Sequence, residues 1–227
     1  MDSVLRLHAR TGQRTLLITT AALPLTGWAM HAVALHKQLA ATKRDPLTGL
    51  LRRDVFTSRA RRLLARHGER ATVVMVDADH FKQINDTMGH AAGDAVLASF
   101  GARLTAWAGP RAAVGRLGGD EFAVAVQLPA HARARRLEQL VHMLHAPVVM
   151  DDGRTVAVAA SVGAATPDTI GTRDLTVLQR AADAALYAGK HTGRARLATP
   201  VHAAVPSVNG RRAGRSGTHQ AASPATG

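Results

Sequence analysis

The stretch GRLGGDEFAV, residues 115–124, places two glycines and two adjacent carboxylates between segments that are typical of β-strands. The segments on either side, AAVGR and FAVAVQL, are short and apolar, as the two strands of a β-hairpin are. Glycine in the turn permits positive φ and lets the backbone approach a ligand closely. The stretch therefore predicts a hairpin whose turn carries Asp120 and Glu121, two neighbouring negative charges that need a counter-charge.

A second acidic segment ends a buried strand. The run ATVVMVDAD, residues 71–79, is β-branched and apolar until its last carboxylates, which is typical of a buried strand that opens into a site. Asp77 and Asp79 are two residues apart and share a face of the strand. If the hairpin lies beside this strand end, Asp120 comes within reach of Asp77. Because such carboxylates repel one another, we expect a hard divalent cation, Mg²⁺ or Mn²⁺, to bind there with a phosphate ligand.

Strand-like and helix-like patterns alternate between residues 45 and 198, which we take as one domain. Helical periodicity marks 93–109, 131–145 and 174–193, and a further strand is expected at 154–166. Helical connections combined with a hairpin favour an α/β (α+β) fold, in which a mixed sheet is surrounded by helices.

Composition narrows the classes of ligand. The chain contains no cysteine, which excludes disulfides and thiolate metal sites. The net charge is +13, but the basic residues are spread along the sequence and aromatic residues make up only 3% of it. We therefore expect no specific nucleic-acid partner, while a small polyanionic ligand stays open.

The two ends of the chain differ from this domain. Residues 15–35 contain no Asp, Glu, Lys or Arg, so the segment 1–36 is predicted to hold a transmembrane helix or a helix that packs on a partner chain. Insertion would place the protein at the cell membrane with the domain in the cytoplasm; without it the protein would be cytoplasmic. A linker at 37–44 follows. The basic Ala/Gly/Ser/Pro tail at 199–227 is expected to be disordered.

Residues 80–94, HFKQINDTMGHAAGD, offer groups for a nucleotide. An Asn paired with an Asp suits the edge of guanine, and basic side chains suit phosphates. Each residue also has an ordinary explanation, since Asp94 could simply favour a helix N-terminus, and Lys190 and Arg194 a helix C-terminus. Only the combination indicates a site.

Five motifs together resemble the GGDEF domain of diguanylate cyclases. They are DPLTGL at 45–50, VDADHFKQINDTMGHAAGDAVL at 76–97, GRLGGDEF at 115–122, SVGAA at 161–165 and ADAALYAGKHTGR at 182–194. The resemblance implies a sheet of about five strands wrapped by helices, related to nucleotidyl cyclases. It also implies condensation of two GTP into cyclic di-GMP with loss of two pyrophosphates, in bacterial second-messenger signalling.

The resemblance implies a role for each matching residue. The metal ligands would be Asp77, Asp120 and the carbonyl of Ala78. Asp120 would accept the proton of the ribose 3′-hydroxyl, with Glu121 beside it. The substrate-binding residues would be Phe81, Lys82, Asn85, His90, Asp94, Lys190 and Arg194, of which Lys82 would also stabilise charge in the transition state. Because one domain binds one GTP, activity would need a homodimer, with the N-terminal segment as the dimerising element.

The sequence departs from the family at the inhibitory product site. Many members carry Arg-x-x-Asp before the hallmark turn, where this chain has Gly109 and Ala112. We therefore expect product inhibition at that site to be absent or weak. Arg52 and Ala195 replace residues usual in the family, which we expect to alter packing more than chemistry.

A different function fits some of the same residues. A GTP-binding signalling module with little or no turnover would keep the site and act through partner contacts. The intact GGDEF motif with Asp77 and Lys82 favours the enzyme. A nucleic-acid-binding protein would be supported by charge alone.

Overall fold

The computed structural model of the chain describes residues 43–190 and 192–204, together with His31. The chain divides into two compact units, residues 1–44 and 45–227, and the second is the one described below. The apolar stretch predicted at 15–35, His31 apart, lies outside the described residues, as does most of the predicted tail. Within the described part of the chain, no helix is long and apolar enough to cross a membrane.

A six-stranded sheet forms the centre of the domain, in the order β1-β3-β4-β2-β7-β8. Its four inner strands pair antiparallel, whereas the short edge strands β1 and β8 pair parallel to β3 and β7. A separate antiparallel pair joins β5 to β6. The strands are β1 (Leu51–Arg52), β2 (Ala71–Ala78), β3 (Ala113–Gly118), β4 (Glu121–Gln127), β5 (Val148–Val149), β6 (Thr155–Val156), β7 (Ala160–Ala165) and β8 (Arg196–Leu197).

Two predictions about the strands need correction. The sheet has six strands where about five were expected, because the edge strands β1 and β8 are two residues long and leave no periodicity in the sequence. The single strand expected at 154–166 is divided. Its start, β6, pairs with β5 outside the main sheet, and only β7 pairs with β2.

Helices cover the sheet, and the three predicted helical stretches are confirmed with ends shifted by a few residues. Gly109, at φ 78°, ends α3 where the sequence predicts it, and its N–H donates to the carbonyl of Thr105. Asp174 caps α6 by accepting from the backbone N–H groups of Thr176 and Val177. The helices are α1 (Arg53–His67), α2 (Phe81–Met88), α3 (His90–Ala108), α4 (Ala130–His145), α5 (Pro167–Ile170), α6 (Leu175–Ala188) and α7 (Pro200–Ala204), with a 3₁₀ turn at Gly68–Arg70.

Strand β2 is apolar except for Thr72 and Asp77, because both of its faces are buried. Val74 and Val76 belong to a core with residues of α3 and α4, while Val73 and Met75 belong to a second core with residues of α1 and α6. The alternation follows from the two-residue period of a strand. β2 therefore lies at the centre of the domain, and its C-terminal end is the only part with carboxylates.

Gly163 fixes the distance between α6 and the sheet. A Cβ at this position would lie 2.1 Å from the carbonyl oxygen of Ala182 and 2.5 Å from the nitrogen of Leu186. These are backbone atoms, which cannot rotate away. Helix α6 therefore packs on β7 at a separation that only glycine permits, and this sets where the chain after α6 can reach.

Candidate active site

The end of β2 lies beside the turn of the β3–β4 hairpin. The antiparallel register places Asp77 opposite Glu121, and the N–H of Ala78 donates to the carbonyl of Asp120 at 3.2 Å. Gly119 in the turn has a φ of 50°, which favours glycine. The predicted hairpin is confirmed, and it lies beside the strand end, the position on which the expected approach of Asp120 to Asp77 depended.

Lys190 lies among the carboxylates at this strand end. Its Nζ donates to Oδ1 of Asp77 at 3.1 Å, and the Asp77 side chain is only 11% exposed. Burial by itself would lower the pKa of Lys190, but the hydrogen bond to Asp77 and the negative charges of Asp77, Asp79 and Asp120 outweigh it and raise the pKa. The ammonium group therefore interacts with three aspartates.

Asp79 has a structural partner on the neighbouring strand. Its Oδ1 accepts a hydrogen bond from the hydroxyl of Ser161 at 2.8 Å, and its N–H donates to the carbonyl of Ala159 at 2.9 Å. Both side chains are buried. These bonds tie the end of β2 to β7. Sequence reasoning did not identify Ser161, although it is the one hydroxyl in the apolar motif SVGAA.

The predicted guanine-binding residues lie where α2 packs against α3. A Cβ at Gly93 would lie 2.0 Å from Oδ1 of Asn85 and 3.2 Å from the ring of Phe81. Asn85 therefore contacts the residue immediately before Asp94, and Asp94 itself is exposed. The structure brings the side chain of Asn85 to the helix turn that carries Asp94.

Three other predicted site residues, Lys82, His90 and Arg194, have exposed side chains. Lys82 is the second residue of α2, and His90 is the first residue of α3. Arg194 lines a cleft of about 550 Å³ together with His142 and His145 of α4. In residues 43–190 and 192–204, no hydrogen bond or ion pair joins these three side chains to Asp77, Asp79 or Asp120.

The oxygen atoms at the strand end suit a hard cation. The described residues contain no group of three or more His, Cys, Asp or Glu that could hold a metal ion. Mg²⁺, however, is commonly bound by one or two protein carboxylates together with water and substrate phosphates. The carboxylates of Asp77 and Asp120 and the carbonyl of Ala78 fit such a partial set of ligands.

The side chain of Arg116, on strand β3 of the hairpin, connects the hairpin turn to the turn at 45–50. Its Nε donates to the carbonyl of Gly119 at 2.9 Å, and its Nη1 lies 3.1 Å from Oδ1 of Asp45. Asp45 in turn accepts from the N–H and the hydroxyl of Thr48 at 2.9 Å and 2.7 Å. Asp45, in the turn at 45–50, therefore positions Arg116, and Arg116 in turn bonds to the backbone of the hairpin turn. Sequence reasoning missed this pair.

Comparison with known proteins identifies similar sequences. A family model described as "Diguanylate cyclase, GGDEF domain" matches residues 42–196. An uncharacterised 19.3 kDa protein of Streptomyces ambofaciens is 47% identical over 174 residues, which are 77% of this chain and 91% of that protein. Diguanylate cyclase TpbB of Pseudomonas aeruginosa is 38% identical over 156 residues, 66% of this chain. The match spans only 35% of TpbB.

A solved structure also resembles this chain. The coiled coil and GGDEF domain of DgcB from Caulobacter crescentus, determined in complex with cyclic di-GMP, is 27% identical with a TM-score of 0.66. The match covers 80% of this chain and all of that one (100%). The similarity therefore extends from the motifs to the arrangement of the whole domain.

Proposed function

The chain belongs to the GGDEF domain family of diguanylate cyclases, and from this membership we propose that it condenses two GTP into cyclic di-GMP, releasing two pyrophosphates. The observation that carries the proposal is the group at the end of β2, where Asp77 faces Glu121 and Lys190 donates to Asp77. Carboxylates and an ammonium group at one strand end are the components that phosphoryl-type transfer needs.

The reaction joins two nucleotides, each bound by one domain. The 3′-oxygen of one ribose attacks the α-phosphorus of the other GTP, a new P–O bond forms, and the bond to the bridging oxygen of pyrophosphate breaks. Asp120 accepts the proton of the 3′-hydroxyl. Two such transfers close the ring, so two domains must face each other as a homodimer.

The remaining residues bind and orient the substrate. Asn85 and Asp94 hold the guanine edge, an assignment supported by the contact between Asn85 and Gly93. Phe81 and His90 complete the substrate contacts. The cations that hold phosphate oxygens are Lys82, Lys190 and Arg194, and Lys82 also stabilises the transition state. Since Lys82 and Arg194 are exposed, we expect them to reach the phosphates only when GTP is bound.

Asp77, Asp120 and the carbonyl of Ala78 would hold Mg²⁺ or Mn²⁺, with Glu121 beside them. When bound, the cation would lower the cost of forming the 3′-alkoxide and draw charge from the α-phosphate. In the protein without a bound cation, the ammonium group of Lys190 partly neutralises the carboxylate of Asp77.

Two further features belong to the proposal. The segment at 15–35 serves as a transmembrane or a dimerising helix, and the GGDEF domain lies in the cytoplasm in either case. Product inhibition at an Arg-x-x-Asp site is weak or absent, because Gly109 and Ala112 occupy those positions.

The decisive experiment measures nucleotide turnover. Full-length protein in detergent is incubated with GTP and Mg²⁺, beside Asp120→Asn and the matched control Asp151→Asn, whose carboxylate is exposed on the β5–β6 turn. We expect cyclic di-GMP from the wild type and the control only. A version fused to a dimeric coiled coil runs in parallel, so that a lost dimer is not mistaken for a lost activity. GTP binding without product, even in this enforced dimer, would favour the signalling module without turnover.

A further inference from the structure

The last residue of α4, His145, lies between β7 and the segment that follows α6. Its Nε2 is 3.2 Å from the carbonyl oxygen of Ala160, the first residue of β7. A Cβ at Gly193 would lie 3.9 Å from Cε1 of the ring, so the space between ring and backbone admits little more than a methyl group. The imidazole therefore connects the start of β7 to the residue immediately before Arg194.

The backbone on both sides of His145 is fixed. Leu144 is fully buried in the core. After the helix ends, Arg103 of α3 donates to the carbonyl of Ala146 at 2.5 Å and to that of Pro147 at 2.8 Å. Carbonyl groups at a helix C-terminus have no partner within the helix, and a guanidinium group satisfies them. The ring of His145 is therefore attached to a fixed end of α4.

The hydrogen bond to Ala160 decides which ring nitrogen of His145 carries the proton. A carbonyl oxygen only accepts, so Nε2 is the donor in this contact. In the neutral imidazole, Nδ1 then carries no hydrogen and is an acceptor. Within residues 43–190 and 192–204, no hydrogen bond involves Nδ1 of His145. The ring therefore offers one acceptor in addition to its bond with β7.

Arg194 lies in the same cleft as this acceptor. The cleft, of about 550 Å³, is lined by His145, Gly193 and Arg194, and its other charged or polar side chains are Glu138 and His142 of α4. A guanidinium group has only donors. Among the described residues, no ion pair joins Arg194 to Glu138, and the Arg194 side chain is exposed. The orientation of Arg194 is therefore set by a neighbour that can accept a hydrogen bond.

Resting on the proposed function, in which Arg194 holds phosphate oxygens, we propose that His145 is the positioning residue for Arg194. When GTP is bound, Nε2 keeps the ring on β7 and Nδ1 accepts one N–H of the guanidinium group. Arginine has five N–H donors, so four remain for phosphate oxygens. An arginine that is already oriented loses less side-chain entropy when the phosphates bind.

This arrangement would also fix Arg194 relative to the carboxylates. Ala160 pairs with Ala78 at the end of β2, and the preceding carbonyl, that of Ala159, accepts from the N–H of Asp79 at 2.9 Å. His145 is therefore bonded to the strand position beside the end of β2. It lies outside the five motifs at 45–50, 76–97, 115–122, 161–165 and 182–194.

The test measures binding of α,β-methylene-GTP, in which carbon joins the α- and β-phosphorus atoms so that pyrophosphate cannot leave. Calorimetry with full-length protein and Mg²⁺ then reports binding without turnover. His145→Phe keeps a ring but removes both nitrogens, and should weaken binding about fivefold or more, as expected for one lost hydrogen bond. His145→Ala, which adds no bulk, should weaken it as much.

Two variants serve as rescue and control. His145→Gln keeps an amide N–H donor and an oxygen acceptor, and should bind the analogue within about twofold of the wild type. His131→Phe makes the same change at an exposed histidine about 21 Å away along α4, and should not alter binding. Binding by His145→Phe and His145→Ala equal to that of the wild type would overturn the proposal.

A double-mutant cycle separates positioning from a general effect on the fold. If His145 acts through Arg194, His145→Phe/Arg194→Gln should bind the analogue within about twofold of Arg194→Gln alone. Effects that multiply in the double variant would show that His145 does not act through Arg194.

Turnover of GTP by the same proteins distinguishes failure of this role from failure of the proposed function. A wild type that binds the analogue but makes no cyclic di-GMP would overturn the enzyme, while the binding comparison would still decide the role of His145. Normal turnover with unaltered binding in His145→Phe would overturn the role of His145 alone. No binding of the analogue by the wild type would overturn both.

Discussion

Arg116 contacts Asp45 through two oxygen atoms, at 3.1 Å and 3.3 Å, although 71 residues separate them in the sequence. Both side chains are largely buried, at 16% and 19% exposure. The same guanidinium donates to the carbonyl of Gly119, next to Asp120. The position of the hairpin turn therefore depends on the turn at 45–50.

Arg116→Lys should lower the rate of GTP turnover roughly tenfold, because an ammonium group cannot reach Asp45 and Gly119 in the same fixed geometry and a small displacement of the turn is costly. The effect should fall on kcat more than on KM. Arg154→Lys is the matched control, since Arg154 forms an exposed pair with Asp152 away from the turn. A kcat equal to that of the wild type would show that Arg116 does not position the turn.

Asp45 should make stability depend on pH in the acid range. Burial raises the pKa of Asp45, but its hydrogen bonds with Thr48 and the charge of Arg116 outweigh burial, and the pKa lies below its usual 3.8. A carboxyl group whose pKa is lower in the folded than in the unfolded state stabilises the fold at pH values above its unfolded-state pKa. This stabilisation is lost as the pH falls through its folded-state pKa. Asp45→Asn should therefore cost about 1–2 kcal/mol at pH 7. Urea unfolding should show this gap narrowing below about pH 4; a gap that stays constant to pH 2.5 would contradict the assignment.

Gly93→Ala tests the proposed guanine contact. The added methyl group would meet the end of the Asn85 side chain, which can rotate, so the fold should survive while Asn85 moves. We expect KM for GTP to rise about tenfold, because the base loses one hydrogen bond from Asn85. Ala102→Ser, on an exposed part of α3, is the control. If KM stays unchanged while circular dichroism confirms the fold, Asn85 does not read guanine.

Lys190→Gln should separate two roles of the ammonium group. Removing a cation that contacts Asp77 should lower the Mg²⁺ concentration needed for half-maximal turnover, because the two cations no longer compete for that oxygen. Turnover at saturating Mg²⁺ should nevertheless fall about tenfold or more, since phosphate charge loses a partner. Arg180→Gln removes an exposed cation from α6, the helix that precedes Lys190, and should change neither quantity. A higher Mg²⁺ requirement in Lys190→Gln would reject the competition.

The sequence predicted the parts of the fold that carry a repeated pattern. The hairpin around Gly118 and Gly119 was predictable because apolar strands flank a glycine turn, and β2 because a β-branched run ends in carboxylates. The sequence left open whether the hairpin lies beside the end of β2, and the register of β2 with β4 shows that it does. The two-residue strands β1 and β8 were not predictable, since two residues cannot show a period.

Side-chain pairs between residues far apart in the sequence could not be predicted either. Arg116 and Asp45, like Asp79 and Ser161, meet only once the sheet has formed, and no local pattern marks them. Arg111, in the loop before β3, and Arg59, Arg62 and Arg66 of α1 line one cleft for the same reason. The roles assigned to the site residues all stay predictions, those of Asp77, Asp120 and Lys190 as much as those of Lys82, His90 and Arg194.

The two-residue strands at the sheet edges determine how the domain can be connected to other sequences. β1 and β8 lie at opposite edges, five strand spacings apart, or about 24 Å at 4.8 Å per spacing. A circular permutant that joins these ends would need a linker of at least about seven extended residues, and shorter linkers would pull an edge strand from the sheet. Fusion partners placed before β1 and after β8 need no such linker, so biosensor designs should attach one reporter at each edge.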